Sequence, residues 1–133
     1  MAFSNSEVSF YDLLEGRNIV KSWGIGKWTP EDVDGLSKGI LKLAKGFGGA
    51  NWAYIADPSK MAPILTKETS EAFVKLHNSV EAAGCKAIAF LDGDTAAMKL
   101  QSQKHQEKSD SKMVVLHFNN EAEALDWLKN MGI

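Results

Sequence analysis

The sequence predicts a single α/β domain, on three observations. Two strand-like apolar runs come first, at Val8–Leu14 and Ile19–Ile25. Segments of helical and strand period then alternate to the last residues. Two of the later runs, Trp52–Ala56 and Ala87–Leu91, are almost continuously apolar, the pattern of strands covered on both faces. At 133 residues the chain has the size of one domain, with no internal repeat and no linker. A chain of that size buries roughly two-thirds of its unfolded surface, so a core needs neither metal nor disulfide.

The elements follow in order. Glu15-Gly16-Arg17-Asn18 lies between the first two runs and reads as a hairpin turn, because Gly and Asn tolerate positive φ. The flanking strands are then antiparallel neighbours, with Ile19, Trp23 and Ile25 on one face that Lys21 interrupts. Thr29-Pro30-Glu31-Asp32 starts a helix: Thr29 caps, Pro30 suits the first position, and the acids meet the positive end of the dipole. Its stripe is Val33, Leu36, Ile40, Leu43 or Ala44, and Phe47, and Gly46, Gly48 and Gly49 supply the exit.

After the Trp52–Ala56 strand comes Asp57-Pro58 and a loop, Ser59–Leu65. Thr66 or Thr69 begins a second helix with the stripe Phe73, Leu76, Val80 and Ala83, closed by Gly84. Beyond the Ala87–Leu91 strand, Asp94 caps a thin third helix over 95–103, and the stretch to Lys112 is polar. Met113–Phe118 is the last strand, with Val114–Leu116 expected in the sheet interior. Asn120 and Glu123 then cap a final helix whose inner face is Leu125, Leu128 and Met131.

Composition excludes several classes. With 44% hydrophobic and 24% charged residues the chain is neither disordered nor a membrane bundle. A net charge of −2 gives no general drive toward nucleic acid, which is not an expected partner. The single cysteine, Cys85, forms no internal disulfide and fits a reducing cytoplasm. The first residues carry no signal-peptide pattern, and no apolar run nears the roughly 20 residues that span a bilayer. The expected location is cytoplasmic, with room for peripheral contact at the inner membrane face.

No chemistry-bearing motif is complete. Asp57 ends a strand as the acceptor of a phospho-receiver does, but the acid pair and lysine of that site are missing. Asp92-Gly93-Asp94-Thr95 approximates a dehalogenase-type nucleophile motif with the threonine one place early. Gly26-Lys27 lacks the glycine a phosphate loop needs five places earlier, where Lys21 stands. His77, His105 and His117 have no metal-ligand spacing, and Cys85 reads as a small buried residue. No catalytic residue, metal or cofactor is expected.

Three features stand out from this background. The loop through Met61, Pro63, Ile64 and Leu65 is apolar for a connection, so it folds onto the core or forms an apolar edge. Trp28, at a strand-to-helix junction, is the tryptophan best placed for an exposed contact. Thr66 puts a hydroxyl at a helix N-terminus, where a phosphate is electrostatically favoured.

Trp23-Gly24, the stretch Trp28–Asp32 and the closing Ala124-Leu125-Asp126-Trp127-Leu128, set in this element order, resemble the SpoIIAA-like group of STAS domains and, more narrowly, bacterial STAS-like proteins of unassigned role. The resemblance covers about residues 8–130. It implies a mostly parallel sheet with an antiparallel N-terminal hairpin and about four helices. Regulatory members carry Asp-Ser-Ser/Thr-Gly at the start of helix two, and a partner kinase phosphorylates the serine. That serine lies about nine residues after a strand-ending Asp, which from Asp57 leads to Thr66. Here the stretch is Leu65-Thr66-Lys67-Glu68, without the flanking Asp or the Gly.

The leading expectation is a non-enzymatic binding or regulatory domain using protein contacts around the start of helix two, with Asp57, Ser59, Thr66 and Thr69 as its candidate surface. Its partner would be an unidentified protein, a regulator or kinase, or a second copy in a homodimer. The alternative is a carrier or peripheral membrane domain that holds a lipid-like ligand through Met61, Pro63, Ile64, Leu65 and Trp28. An aliphatic-lined pocket of a few hundred Å³ favours that alternative, and an open apolar patch favours a protein partner.

Overall fold

Six strands lie side by side in chain order in the computed structural model, which describes residues 3–4, 6–14, 16–62, 66–91 and 113–133. They are β1 (Phe3–Ser4), β2 (Ser9–Leu14), β3 (Ile19–Gly24), β4 (Trp52–Asp57), β5 (Cys85–Leu91) and β6 (Val114–Phe118). The β1–β2 and β2–β3 pairs are antiparallel, and the three later pairs are parallel. The hairpin and the parallel sheet agree with expectation. The antiparallel part is one strand wider than expected, because Phe3–Ser4 pairs with Phe10–Tyr11 and the Phe3 ring stacks on Tyr11 at 5.4 Å.

Successive parallel strands step the same way across the sheet, so right-handed crossovers place their helices on one face. On that face α1 (Pro30–Ala44) and α2 (Lys67–Ala82) pack side by side over Val20, Tyr54, Ile88 and Phe90. The opposite face is covered by α3 (Glu121–Asn130), which packs on Ile19, Ala53, Ile55, Ala87, Ala89 and Leu91. With apolar layers on both faces, β4 and β5 are buried nearly throughout. Each fully buried aliphatic side chain, such as Leu36, Ile40 or Leu128, stabilises the fold by roughly 1.5–3 kcal/mol. These are three α-helices among the described residues; the further helix expected over 95–103, with Asp92, Asp94 and His105, lies outside them. Glu15 of the hairpin turn does too.

Local chemistry explains the boundaries. Thr29 and Asp32 form a capping box: the Thr29 amide donates to the Asp32 carboxylate at 2.8 Å, and the Thr29 hydroxyl accepts from the Asp32 amide at 3.3 Å. Burial works against the Asp32 carboxylate, yet the bonds from Thr29 and Ser6 hold its carboxyl below the ordinary value. Gly16 takes a φ of 79° in the β2–β3 turn. The next residue, Arg17, reaches across the molecule. Its guanidinium donates to the main-chain oxygens of Leu125 and Ile133, both at 3.1 Å, and so ties the C-terminal segment to the hairpin.

Several expectations about faces are corrected. Val114 and Leu116 do not lie in the interior: β6 is the last strand of the sheet among the described residues, and they are 49% and 44% exposed. An apolar run shows that a strand can be buried, not that neighbours exist on both sides. On α3 the buried residues are Ala124 and Leu128, while Met131 caps the helix and is exposed. Helix α2 buries Leu76 and Val80 as expected, with Phe73 half-buried on the same core, and adds Thr69, Ala72 and His77 to the buried face. Ala83 has become the exposed C-cap. Ile25 has left β3 and stands 45% exposed.

Candidate functional site

The surface expected to act lies where β3 and β4 end. Strand β4 stops at Asp57 because Pro58 offers no amide to continue the ladder. Asp57 Oδ1 accepts from the Ser59 amide at 3.1 Å and from its hydroxyl at 2.6 Å, an Asx-type turn. The segment that follows runs alongside the β3–α1 loop. The Gly26 amide donates to the Lys60 carbonyl at 3.1 Å, and the Ala62 amide donates to the Gly26 carbonyl at 2.8 Å. Met61 thereby makes a parallel bridge with Gly26, whose φ of 63° lets the chain turn there. The Met61 side chain packs half-buried against the α1–α2 core. The described part of the apolar loop therefore folds inward, and Pro63, Ile64 and Leu65 lie outside the described residues.

Helix α2 begins just beyond. Thr66 is its N-cap, with extended φ/ψ of −106° and 145°. Its hydroxyl accepts from the Thr69 amide at 3.2 Å and donates to the Thr69 hydroxyl at 2.7 Å. Thr66 is exposed, whereas Thr69 is buried and cannot form part of the outer surface. Asp57 and Ser59 bond each other, Thr66 bonds Thr69, and no hydrogen bond among the described residues joins the two pairs. Ile25, Lys27, Ser59, Lys60, Thr66, Lys67 and Glu68 form the exposed rim of the two loops and the helix start.

Trp28 is not part of this rim. It is only 5% exposed. Its indole N–H donates to the Val8 carbonyl at 3.1 Å, and its ring stacks on Phe73 of α2 at 5.8 Å. The ring fits because Gly24, four residues earlier, has no Cβ. The junction tryptophan closes the α1–α2 core instead of contacting a partner. The signal was present in the sequence as a glycine four residues before a tryptophan, but only the fold shows that the two meet.

Of the other titratable candidates, Cys85, His77 and Tyr54 are buried. Burial pushes the Cys85 thiol up to about 12, and its Sγ donates to the Ala87 carbonyl at 3.2 Å. A thiol with so little thiolate is a poor nucleophile. His77 sits inside the core with its ring 5.8 Å from Phe90, whose other neighbour is the His117 ring at 5.2 Å. Sequence reasoning missed the buried hydrogen bond between the Tyr54 and Ser22 hydroxyls. Burial raises the Tyr54 phenol well above its ordinary value. Among the described residues no group of three or more His, Cys, Asp or Glu is placed to hold a metal ion. None of the described helices is long and apolar enough to cross a membrane.

A groove of about 260 Å³ runs between α1 and α2, lined by Asp34, Ser37, Lys38, Ala72, Lys75, Leu76 and Ser79. Its surface is about evenly polar and apolar, less apolar than a lipid site. On the opposite face Lys21 bonds Glu121 at 2.9 Å and lies 5.8 Å over the Trp23 ring, which stacks on Phe10 at 6.0 Å.

No protein-family model matches the chain, and no curated protein matches its sequence. Among solved structures it is similar to an uncharacterized protein of the DUF3478 family with a SpoIIAA-like fold, from Shewanella loihica PV-4. The two share 16% identity and superpose with a TM-score of 0.66, over 89% of this chain and 90% of the other. The likeness spans nearly both molecules and shows the fold.

Proposed function

We propose that this chain, whose fold is SpoIIAA-like, is a non-enzymatic binding or regulatory domain that acts through protein contacts around the start of α2. The observation that carries the proposal is the stitching of the two loops through Gly26. Both its amide and its carbonyl bond the Lys60–Ala62 segment, so the rim beside α2 is ordered before any partner arrives. A preordered surface loses little entropy on binding. Its exposed groups are Lys27, Ser59, Lys60, Thr66, Lys67 and Glu68 around Ile25, a polar surface with an excess of positive charge that would suit an acidic partner surface. The groove between α1 and α2, with Asp34, Lys38 and Lys75 in its lining, is not the aliphatic-lined pocket that a lipid-like ligand would favour. The high pKa values of Cys85 and Tyr54 give no support to an enzyme either.

The test begins with affinity capture on the full chain, read by mass spectrometry for proteins and lipids together. The captured protein is then titrated against wild type, Lys60→Glu and Lys27→Glu, with Glu123→Ala on the far face as control. Weaker binding by the two rim variants and unchanged binding by the control is the expected result. Equal affinities for all four proteins would remove the rim from the interface.

A further inference from the structure

We propose that the groove between α1 and α2 is a binding site for a small hydroxylated organic anion, a carboxylate or a phosphate monoester. This goes beyond the rim at the start of α2: the groove lies further along that helix and shares no residue with the rim. Its walls are Asp34, Ser37 and Lys38 of α1 and Lys75 and Ser79 of α2, over Ala72 and Leu76. The spacing explains why they converge. Side chains three and four positions apart on a helix share one face, and each wall is such a stripe. The helices meet in the core below, which includes Leu36, Ile40, Leu76 and Val80. Above it Ser37, Ala72 and Ser79 are too small to close the gap, and about 260 Å³ stays open. That volume lies just under the range of sites for drug-sized molecules, so the ligand is smaller than these.

The chemistry of the walls names the ligand. Leu76 and Ala72 are buried, so the groove meets solvent through its five polar side chains. Two lysines outnumber one carboxylate there, in a chain whose net charge is −2. That local excess favours an anion, and ammonium groups from two helices can hold one oxyanion between them. The five side chains are also uncommitted. Asp34 and Lys38 stand at the spacing that pairs an acid with a base on a helix, and Lys67 and Glu71 do pair at that spacing, at 3.8 Å. Yet among the described residues Asp34, Ser37, Lys38, Lys75 and Ser79 make no side-chain hydrogen bond or ion pair. A ligand therefore breaks no internal bond on entering. Asp34 repels a bare anion, whereas an anion that carries hydroxyls gives this carboxylate donors to accept from. The pair of lysines selects the charge, and Asp34 with the two serines selects the hydroxyls.

Titration of the isotope-labelled full chain, followed by amide chemical shifts at fixed ionic strength, tests the inference. The probes are glycerol 3-phosphate, glycerate, inorganic phosphate and glycerol. Shifts from the two hydroxylated anions are expected to cluster in residues 34–38 and 72–79 and to saturate in roughly the millimolar range. The tighter of the two identifies the acidic group, and glycerol should give no saturable shift. Lys38→Gln and Lys75→Gln should each weaken both anions roughly three- to fivefold. Asp34→Asn should tighten inorganic phosphate by removing a like charge, yet weaken the hydroxylated anions. Lys129→Gln, on α3 across the sheet, should change nothing. All four positions are exposed, so circular dichroism should match wild type. No saturation by either hydroxylated anion up to about 50 mM would overturn the inference. So would glycerol binding as tightly as the anions, shifts spread over lysines elsewhere, or unchanged affinity in both groove-lysine variants. Asp34→Asn tightening all three anions alike would overturn it as well.

Discussion

Gly24 and the Trp28 indole compete for one volume: a Cβ on Gly24 would stand 2.3 Å from Trp28 Cζ2. The indole cannot easily retreat, since Val8 holds its N–H and Phe73 lies stacked against it. Gly24→Ala is therefore expected to destabilise the protein by about 1–3 kcal/mol, the usual cost of overpacking a filled core. Denaturant unfolding gives the number. Gly24→Ala combined with Trp28→Leu should recover part of the loss, because the clash goes with the ring.

Arg17 offers a second test, on the opposite side. Its two bonds to main-chain oxygens of Leu125 and Ile133 cross from the hairpin turn to the end of α3. Arg17→Ala is expected to cost about 1–2 kcal/mol, below the full value of charged hydrogen bonds because the guanidinium is half-exposed. Amide exchange should quicken in α3 and leave the Trp52–Asp57 strand protected if the unfolding is local.

Thr66 separates the roles of cap and contact. Thr66→Ala removes the hydroxyl that caps α2 and should lower stability by about 1 kcal/mol. Thr66→Glu places a negative charge where the dipole accepts it, so the fold should survive at similar stability. If the rim at α2 binds a partner, the Glu variant should bind more weakly than the Ala variant when folded fractions are matched. Equal affinity for wild type and both variants would leave Thr66 as a cap alone.

Stability at alkaline pH follows from the buried thiol. The Cys85 value rises on folding from 9.0 to about 12. Between those values the unfolded chain has lost a proton that the folded one keeps, so stability falls as pH rises. The contribution is complete below pH 9 and is lost progressively toward pH 12. Its slope is at most roughly 1.4 kcal/mol per pH unit for one group. Tyr54, also raised by burial, adds a loss of the same sign from above its ordinary value. Urea midpoints measured upward from pH 8 should fall, and should fall less steeply in Cys85→Ala.

The sequence by itself determined what depends on neighbours within a few residues. The capping box of Thr29 and Asp32, the Gly16 turn and the Thr66 and Asn120 caps are bonds between groups up to four positions apart, legible wherever those residues occur. Trp52–Ala56 and Ala87–Leu91 were legible as buried strands because a long apolar run leaves no polar face. Only the tertiary structure decided what covers what. Val114–Leu116 reads as apolar as β4 and β5, yet it became the sheet edge, since strand order is set by how far each crossover steps. Trp28 went inside because Gly24 left the space and Phe73 of a distant helix closed it. The rim at α2 depends on the two bonds of Gly26 to a segment more than thirty residues away. Neither periodicity nor capping carries the position of such partners, because burial and long-range hydrogen bonding belong to pairs of segments and not to either segment alone.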